Sequence, residues 1–229
     1  MMITYHTAFA LSYLGIARMP VTSGFPRLFA LSTASLFIFL AGVSLHISRS
    51  RGGPRGRGTK GFVLRGAGIF SLGLVISAAT FVFIPESPVV FGILHFLGTM
   101  IIIGPVLPHS PWKNYLLGTV ASITGFLFLP FTGLIWTIPF GIRPAPFASL
   151  DYVPLFPWAG IFLFGLGAGA LLYPGGVPHQ RWSAPHSRVV EGATYLGRHS
   201  LVIYMIHVPI ILAILGILYP EIWSTFLPS

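Results

Sequence analysis

Long apolar runs, interrupted by short clusters of proline, glycine and serine, make up most of the chain. Crossing the hydrocarbon layer takes about 20 mainly apolar residues. Seven segments approach that length, near residues 1–17, 28–47, 62–84, 88–107, 114–137, 153–173 and 197–219. The intervals hold turn formers: Pro20 to Gly24, Pro85-Glu86-Ser87-Pro88, Pro108-His109-Ser110-Pro111 and Pro174-Gly175-Gly176. Pro130 and Gly133 fall inside the fifth segment and predict a kink or break there. The short turn at Pro85–Pro88 predicts that the third and fourth segments form an antiparallel pair. The first segment starts at Met1 without the basic lead-in or small-residue cleavage site of a signal peptide, so it reads as a true first helix, shortened at its start. The expectation is an all-α polytopic bundle of about seven spans, forming a single domain over residues 1–229.

Composition agrees with a bilayer as solvent. The chain is 54% hydrophobic and 7% charged, against roughly 25% charged residues in a soluble domain, and its mean hydropathy is +0.84. Basic residues then set the orientation. Arg49, Arg51, Arg55, Arg57 and Lys60 crowd the loop after the second span, which holds that loop in the cytoplasm. Alternation puts Lys113, Arg181, Arg188 and Arg198 inside too, and leaves Arg18, Arg27, Arg143, Glu86, Asp151 and Glu221 outside. The expected topology has a cytoplasmic N-terminus and an external C-terminus. The net charge of +9 is thereby read as topology and attraction to anionic lipid, not as nucleic-acid binding.

Several chemistries are excluded. There is no cysteine, hence no disulfide, thiolate nucleophile or cysteine-ligated metal. No phosphate-binding glycine loop, HExxH or GxSxG motif occurs. The run from Arg51 to Gly58 resembles an arginine/glycine RNA-binding stretch but has no interleaved aromatics, and a cytoplasmic loop accounts for it. Gly165 and Gly169 make a small-xxx-small face suited to close helix packing, within the chain or between copies of it.

Histidine is what remains. Among eight, His6, His95 and His207 fall inside apolar segments, where an ionisable group is costly and faces a cavity or a polar partner. Ser200, Tyr204 and His207 share one face of the last span by their spacing; His6 and Tyr13 do so in the first, and His95 and Thr99 in the fourth. A histidine trio can hold zinc, but no span interior supplies the usual carboxylate, so no metal is expected. Asp151 precedes the sixth span. It reads equally as the cap of that helix, with Arg143 as resting partner, or as a group that activates a histidine or an acceptor amine.

Five stretches in order carry a family resemblance: Met1–Gly15 with His6, Leu36–Ser44, Phe91–Gly98 with His95, Ser149–Trp158 with Asp151, and Leu196–His207. Together they resemble the short prokaryotic branch of the heparan-α-glucosaminide N-acetyltransferase catalytic-domain family over essentially the whole chain. The resemblance implies a transmembrane N- or O-acetyltransferase. In such enzymes acetyl-CoA supplies the acetyl group from the cytoplasm, and an amine or hydroxyl acceptor, typically a sugar or glycan, receives it across the membrane. Family members usually begin with an Asp-x-x-Arg-Gly type segment, and this chain starts after it. The long animal-type members also carry an acetyl-handling histidine after the first helix, whereas residues 19–27 here contain none. On this reading His6 is general base or transient acyl acceptor, and Asp151 orients it or the acceptor. His95 joins the catalytic set, and His207, Tyr204 and Ser200 line the path. Arg65, Arg198 and His199 hold the phosphates of CoA. The expected setting is the cell membrane. The rivals are a small histidine-lined transporter or channel, using the imidazoles as a proton relay, and a structural membrane subunit.

Overall fold

The computed structural model describes residues 2–17, 20–21, 23–53, 58–179 and 187–222. Arg18, Arg55, Arg57 and Arg181, used above for topology, lie outside them. Eight α-helices form among the described residues: α1 (Met2–Tyr13), α2 (Gly24–Ser50), α3 (Gly58–Phe83), α4 (Ile93–Ile102), α5 (Pro111–Phe128), α6 (Leu155–Leu172), α7 (Arg188–Arg198) and α8 (Ser200–Leu218). Among the described residues there is no strand, only the isolated bridges Phe91–Tyr152 and Thr132–Arg143. The protein is all-helical, and α2, α3, α6 and α8 are long and apolar enough to cross a membrane.

The remaining segments differ from the expectation for local reasons. The fourth segment yields a ten-residue α4, because residues 87–91 run alongside residues 149–153 instead of joining the helix. Proline stops α5 at Phe128: Pro130 has no N–H to give to the helix, and the chain next turns tightly over Ile135–Phe140. At the start of the seventh segment, Arg198 closes a separate helix, and His199 stands at the break before α8.

Two compact units result, Met1–Ala34 with Arg181–Ser229, and Ser35–Gln180. In the first unit α1 lies against α8. His6 meets His207, and Ala10, Leu11, Leu14 and Ile16 pack on Ile211 and Leu215, so residue numbers rise together and the pair is parallel. In the same unit α7 is amphipathic. The Ser187 hydroxyl accepts from the Val190 N–H at 3.3 Å, and Glu191 and Arg198 sit at the ends that the helix dipole favours for their charges.

In the second unit α4 is enclosed from Ile93 to Gly98, as a helix apolar all round must be. Phe96 and Met100 on α4, Phe162 and Leu166 on α6, and Ile38 on α2 are among its most deeply buried apolar side chains. Glycines let the backbones approach. Gly66 and Gly98 face each other across α3 and α4, and Gly118 lies on Gly160 between α5 and α6. Gly42 lies on Phe162 and Leu166, while Gly165 and Gly169 lie on Phe39, Val43 and His46, which makes α2 and α6 a parallel pair. The Gly165/Gly169 face is thus occupied by α2 of the same chain. Pairing of 66 with 98 and 73 with 95 makes α3 and α4 antiparallel as expected, and pairing of 118 with 160 and 125 with 157 does the same for α5 and α6.

A Cβ at Gly165 would run into the Phe39 carbonyl, whereas one at Gly68 would meet nothing within 4 Å. Gly165→Val is therefore expected to lower the melting temperature in detergent, with an overpacking cost of about 1–3 kcal/mol. Gly68→Ala should leave it unchanged, and equal melting temperatures for the two variants would overturn the packing argument.

Candidate functional site

The first unit brings two of the sequence-predicted histidines together. His207 Nδ1 lies 3.1 Å from the Ile203 carbonyl and 2.7 Å from that of Tyr204. Carbonyl oxygens only accept, so the proton of the neutral ring is on Nδ1 and Nε2 carries the lone pair. His207 Nε2 is 3.2 Å from His6 Nδ1. The His6 Nδ1–H must then donate, shared with the Met2 carbonyl at 3.0 Å. This chain of donors leaves the lone pair of His6 on Nε2, free to take a proton or attack a carbonyl carbon. The rings meet edge to face with centroids 4.8 Å apart. Tyr204 flanks His207 at 5.6 Å and Ser200 opens the same helix. Tyr13, seven residues on from His6 in the same helix, is 47% exposed.

The second unit builds its polar centre at the N-terminus of α4. Asp151 Oδ2 accepts from the Ile93 N–H at 2.9 Å. Asp151 therefore caps α4, a helix 58 residues away, while the N-cap of α6 is Pro154, without a side-chain bond. Two backbone links hold the carboxylate there: Val153 N–H to the Phe91 carbonyl at 2.9 Å and Leu150 N–H to that of Ser87 at 3.3 Å. The Ser149 hydroxyl adds a bond to the Pro88 carbonyl at 2.9 Å. Gly92 leaves the space that the Asp151 carboxylate occupies. The Gly92 N–H donates to His95 Nδ1 at 3.2 Å, and His95 is 2% exposed. Asp151 and His95 thus flank the first turn of one short helix. Thr99, expected to share a polar face with His95, turns its hydroxyl back to the His95 carbonyl at 2.8 Å. Beside this centre, the Tyr152 hydroxyl donates to the Ile138 carbonyl at 2.8 Å, and burial pushes its pKa up to about 12, so it stays a donor at neutral pH.

The opposite end of the second unit gathers groups that the sequence reading treated as topology or passed over. Arg49 donates to the Leu107 carbonyl at 2.6 Å and lies 3.1 Å from the His109 ring nitrogens. Arg51 donates to the Gly176 carbonyl at 3.0 Å. His46, 8% exposed, reaches the Tyr173 carbonyl at 3.0 Å, and Asn114, 1% exposed, donates to the carbonyls of Pro108 and Ser110. The signal for His46 was present: His46, Arg49 and Ser50 stand three and four residues apart on one helix face. Ser77, a further buried polar group, was legible only as the continuation of the Gly66–Gly73 stripe on α3.

The residues expected to hold CoA do not form one cluster within a unit. Arg198 and His199 adjoin each other in the first unit, where His199 Nδ1 bonds the Tyr195 carbonyl at 2.9 Å. Arg65 is an exposed residue of α3 in the second. His6 and Asp151 also belong to different units, each with the partner described above. Among the described residues no three His, Asp or Glu side chains converge as a metal site would require.

An all-helical membrane protein with a hydrogen-bonded imidazole pair and a carboxylate-capped buried helix is the class that fold and site define. The chain belongs to the heparan-alpha-glucosaminide N-acetyltransferase catalytic family, whose family model matches residues 1–209. Membership points to a membrane acetyltransferase. No curated protein and no solved structure matches the chain.

One pH effect follows from the basic end. The Arg49 guanidinium, then burial and His46, hold the His109 imidazole below the usual histidine range. Between the lowered folded value and the unfolded one, the unfolded chain binds more protons, so stability rises with pH there. This stability is complete above the unfolded value of 6.5 and is lost as pH falls from there through the folded value. His109→Gln should remove part of the loss in melting temperature below about pH 6.5. Superimposable melting curves against pH for variant and parent would refute this.

Proposed function

We propose that the chain is a multi-pass protein of the cell membrane that transfers an acetyl group from cytoplasmic acetyl-CoA to an amine or hydroxyl acceptor, a sugar or glycan, across the bilayer. The observation that carries this reading is the His6–His207 pair, with its free Nε2 lone pair, in a chain of this family. The family model spans both compact units, which supports their acting as a single acyltransferase domain.

The seven-span topology with a cytoplasmic N-terminus belongs to this proposal. It takes α1 to α6 and α8 as successive spans, so α1 should run parallel to α8 and α2 to α6, while α3–α4 and α5–α6 should be antiparallel. All four pair directions agree with it. The contacts of Arg49 and Arg51 agree as well, since they join three segments that alternation assigns to the cytoplasmic side.

In the reaction, His6 Nε2 takes the proton of the acceptor amine or hydroxyl as its lone pair attacks the thioester carbonyl. Collapse of the tetrahedral adduct breaks the C–S bond, and the departing thiolate receives that proton from His6. His207 holds His6 in the tautomer this requires. Asp151, the cap of α4, and His95 are the second unit's members of the proposed catalytic set, Asp151 as an orienting group. Tyr204 and Ser200 line the path with His207, and Arg65, Arg198 and His199 pair with CoA phosphates.

The test is acetyl transfer from labelled acetyl-CoA by the purified chain in liposomes, with a panel of amino sugars as acceptors. His6→Ala should lower turnover by about 10²–10⁴-fold, and Asp151→Asn should lower it too, each variant being assayed well below its own melting temperature. Full turnover by both sinks the proposed site. Flux of a labelled solute without acetyl-CoA would favour the histidine-lined transporter instead.

A further inference from the structure

One arrangement on the α3–α4 seam has hydrogen-bonding capacity that the protein itself does not use. The Gly92 N–H occupies His95 Nδ1, so the proton of the neutral ring is on Nε2. That Nε2 is buried and has no partner. Phe70 stands perpendicular to the imidazole at 5.0 Å, Phe91 stacks on it at 5.6 Å, and Gly73 lies against its Nδ1–Cε1 edge. The ring is thus fixed in position and tautomer while its donor stays unsatisfied, which native interiors rarely allow.

Ser77 Oγ is likewise buried without a partner. Its neighbours on α3 behave otherwise: Ser71 donates back to the Ala67 carbonyl and Thr80 to that of Ile76, both at 2.9 Å. Such back-bonding is the ordinary resting state of a helical hydroxyl. Position along the seam is set by two contacts. Gly73 lies on the His95 ring, and Thr80 Oγ1 accepts from the Val89 N–H at 2.9 Å. Ser77 falls between them, about one helical turn from each, and so at the level where α4 begins. As a residue Ser77 remains half-exposed, so its enclosed oxygen lies just beneath the helix surface.

Two unused polar groups, aromatic walls and a carboxylate at the adjoining helix terminus select a ligand atom. A phosphate or carboxylate would be repelled by Asp151, and a cation finds no acceptor on His95. A neutral oxygen acceptor fits. We propose that the His95 Nε2–H and the Ser77 hydroxyl are paired donors to the carbonyl oxygen of the acetyl thioester, strengthening as that oxygen gains negative charge during transfer. This rests on the acetyl-transfer reading above. It assigns His95 the part of a donor, with Ser77 as its companion.

The test uses the full chain in lipid nanodiscs with acetyl-CoA isotopically labelled at its carbonyl carbon, read by difference infrared spectroscopy and by transfer kinetics. In the parent the bound carbonyl band should lie below that of free acetyl-CoA. Ser77→Ala should move it back toward the free position and lower kcat by about 10²-fold, with KM little changed. His95→Gln, which keeps an N–H donor, should retain most of the shift, and His95→Leu should lose it. A parent that transfers acetyl while Ser77→Ala leaves band and kcat unaltered overturns this inference alone. A parent that neither binds nor transfers acetyl removes the acetyl-transfer reading, and this inference with it.

Discussion

In an apolar interior a backbone or side-chain polar group without a partner costs several kcal/mol, on the order of an unmade hydrogen bond in hydrocarbon. That constraint shapes every notable feature of this protein. Serine and threonine hydroxyls fold back on carbonyls one turn away, as at Thr7, Thr33, Thr99, Thr119 and Ser122. Arginines at the end of α2 bond carbonyls of neighbouring turns. The one carboxylate within the second unit's buried region takes a helix-terminal N–H. Among the described residues three buried side-chain atoms depart from this pattern, His95 Nε2, Ser77 Oγ and Asn114 Oδ1, and the first two lie on the α3–α4 seam.

The same constraint makes the imidazoles chemically useful. No carboxylate bonds the His6–His207 pair in the contacts that define it; backbone carbonyls and the second ring do so instead. Those acceptors fix where each proton resides and leave one basic nitrogen at the end of the chain of donors. In the second unit a backbone N–H works in the opposite sense, filling Nδ1 of His95 and turning Nε2 into a donor. Equal residue types thus acquire opposite roles from the polarity of the backbone group beside them.

Much of this was legible in the order of residues. The apolar segments and prolines located the helices, because burial of about 20 apolar residues and the missing proline N–H act locally. The interruption at Pro130 and the antiparallel third and fourth segments came from the same local rules. The capping role of Asp151 was legible too, but not its target. A side chain beside a helix start reads as the cap of that helix, and only the pairing of residues 149–153 with 87–91 carries it to α4. His46 was missed because it stood at the edge of an apolar segment beside arginines already explained by topology.

What the sequence by itself determined is the solvent, the helical class, the family and the short list of side chains able to do chemistry, since 7% charged residues and no cysteine leave few others. Which of those side chains meet was decided by the tertiary structure alone. His6 and His207 lie 201 residues apart in the chain, and Asp151 and Ile93 lie 58 apart. The physical reason is one of range. Periodicity and punctuation report forces acting within a turn or two, whereas tautomers, caps and unused donors depend on which backbone group a glycine-lined contact brings within 3 Å or so of a ring nitrogen or a carboxylate.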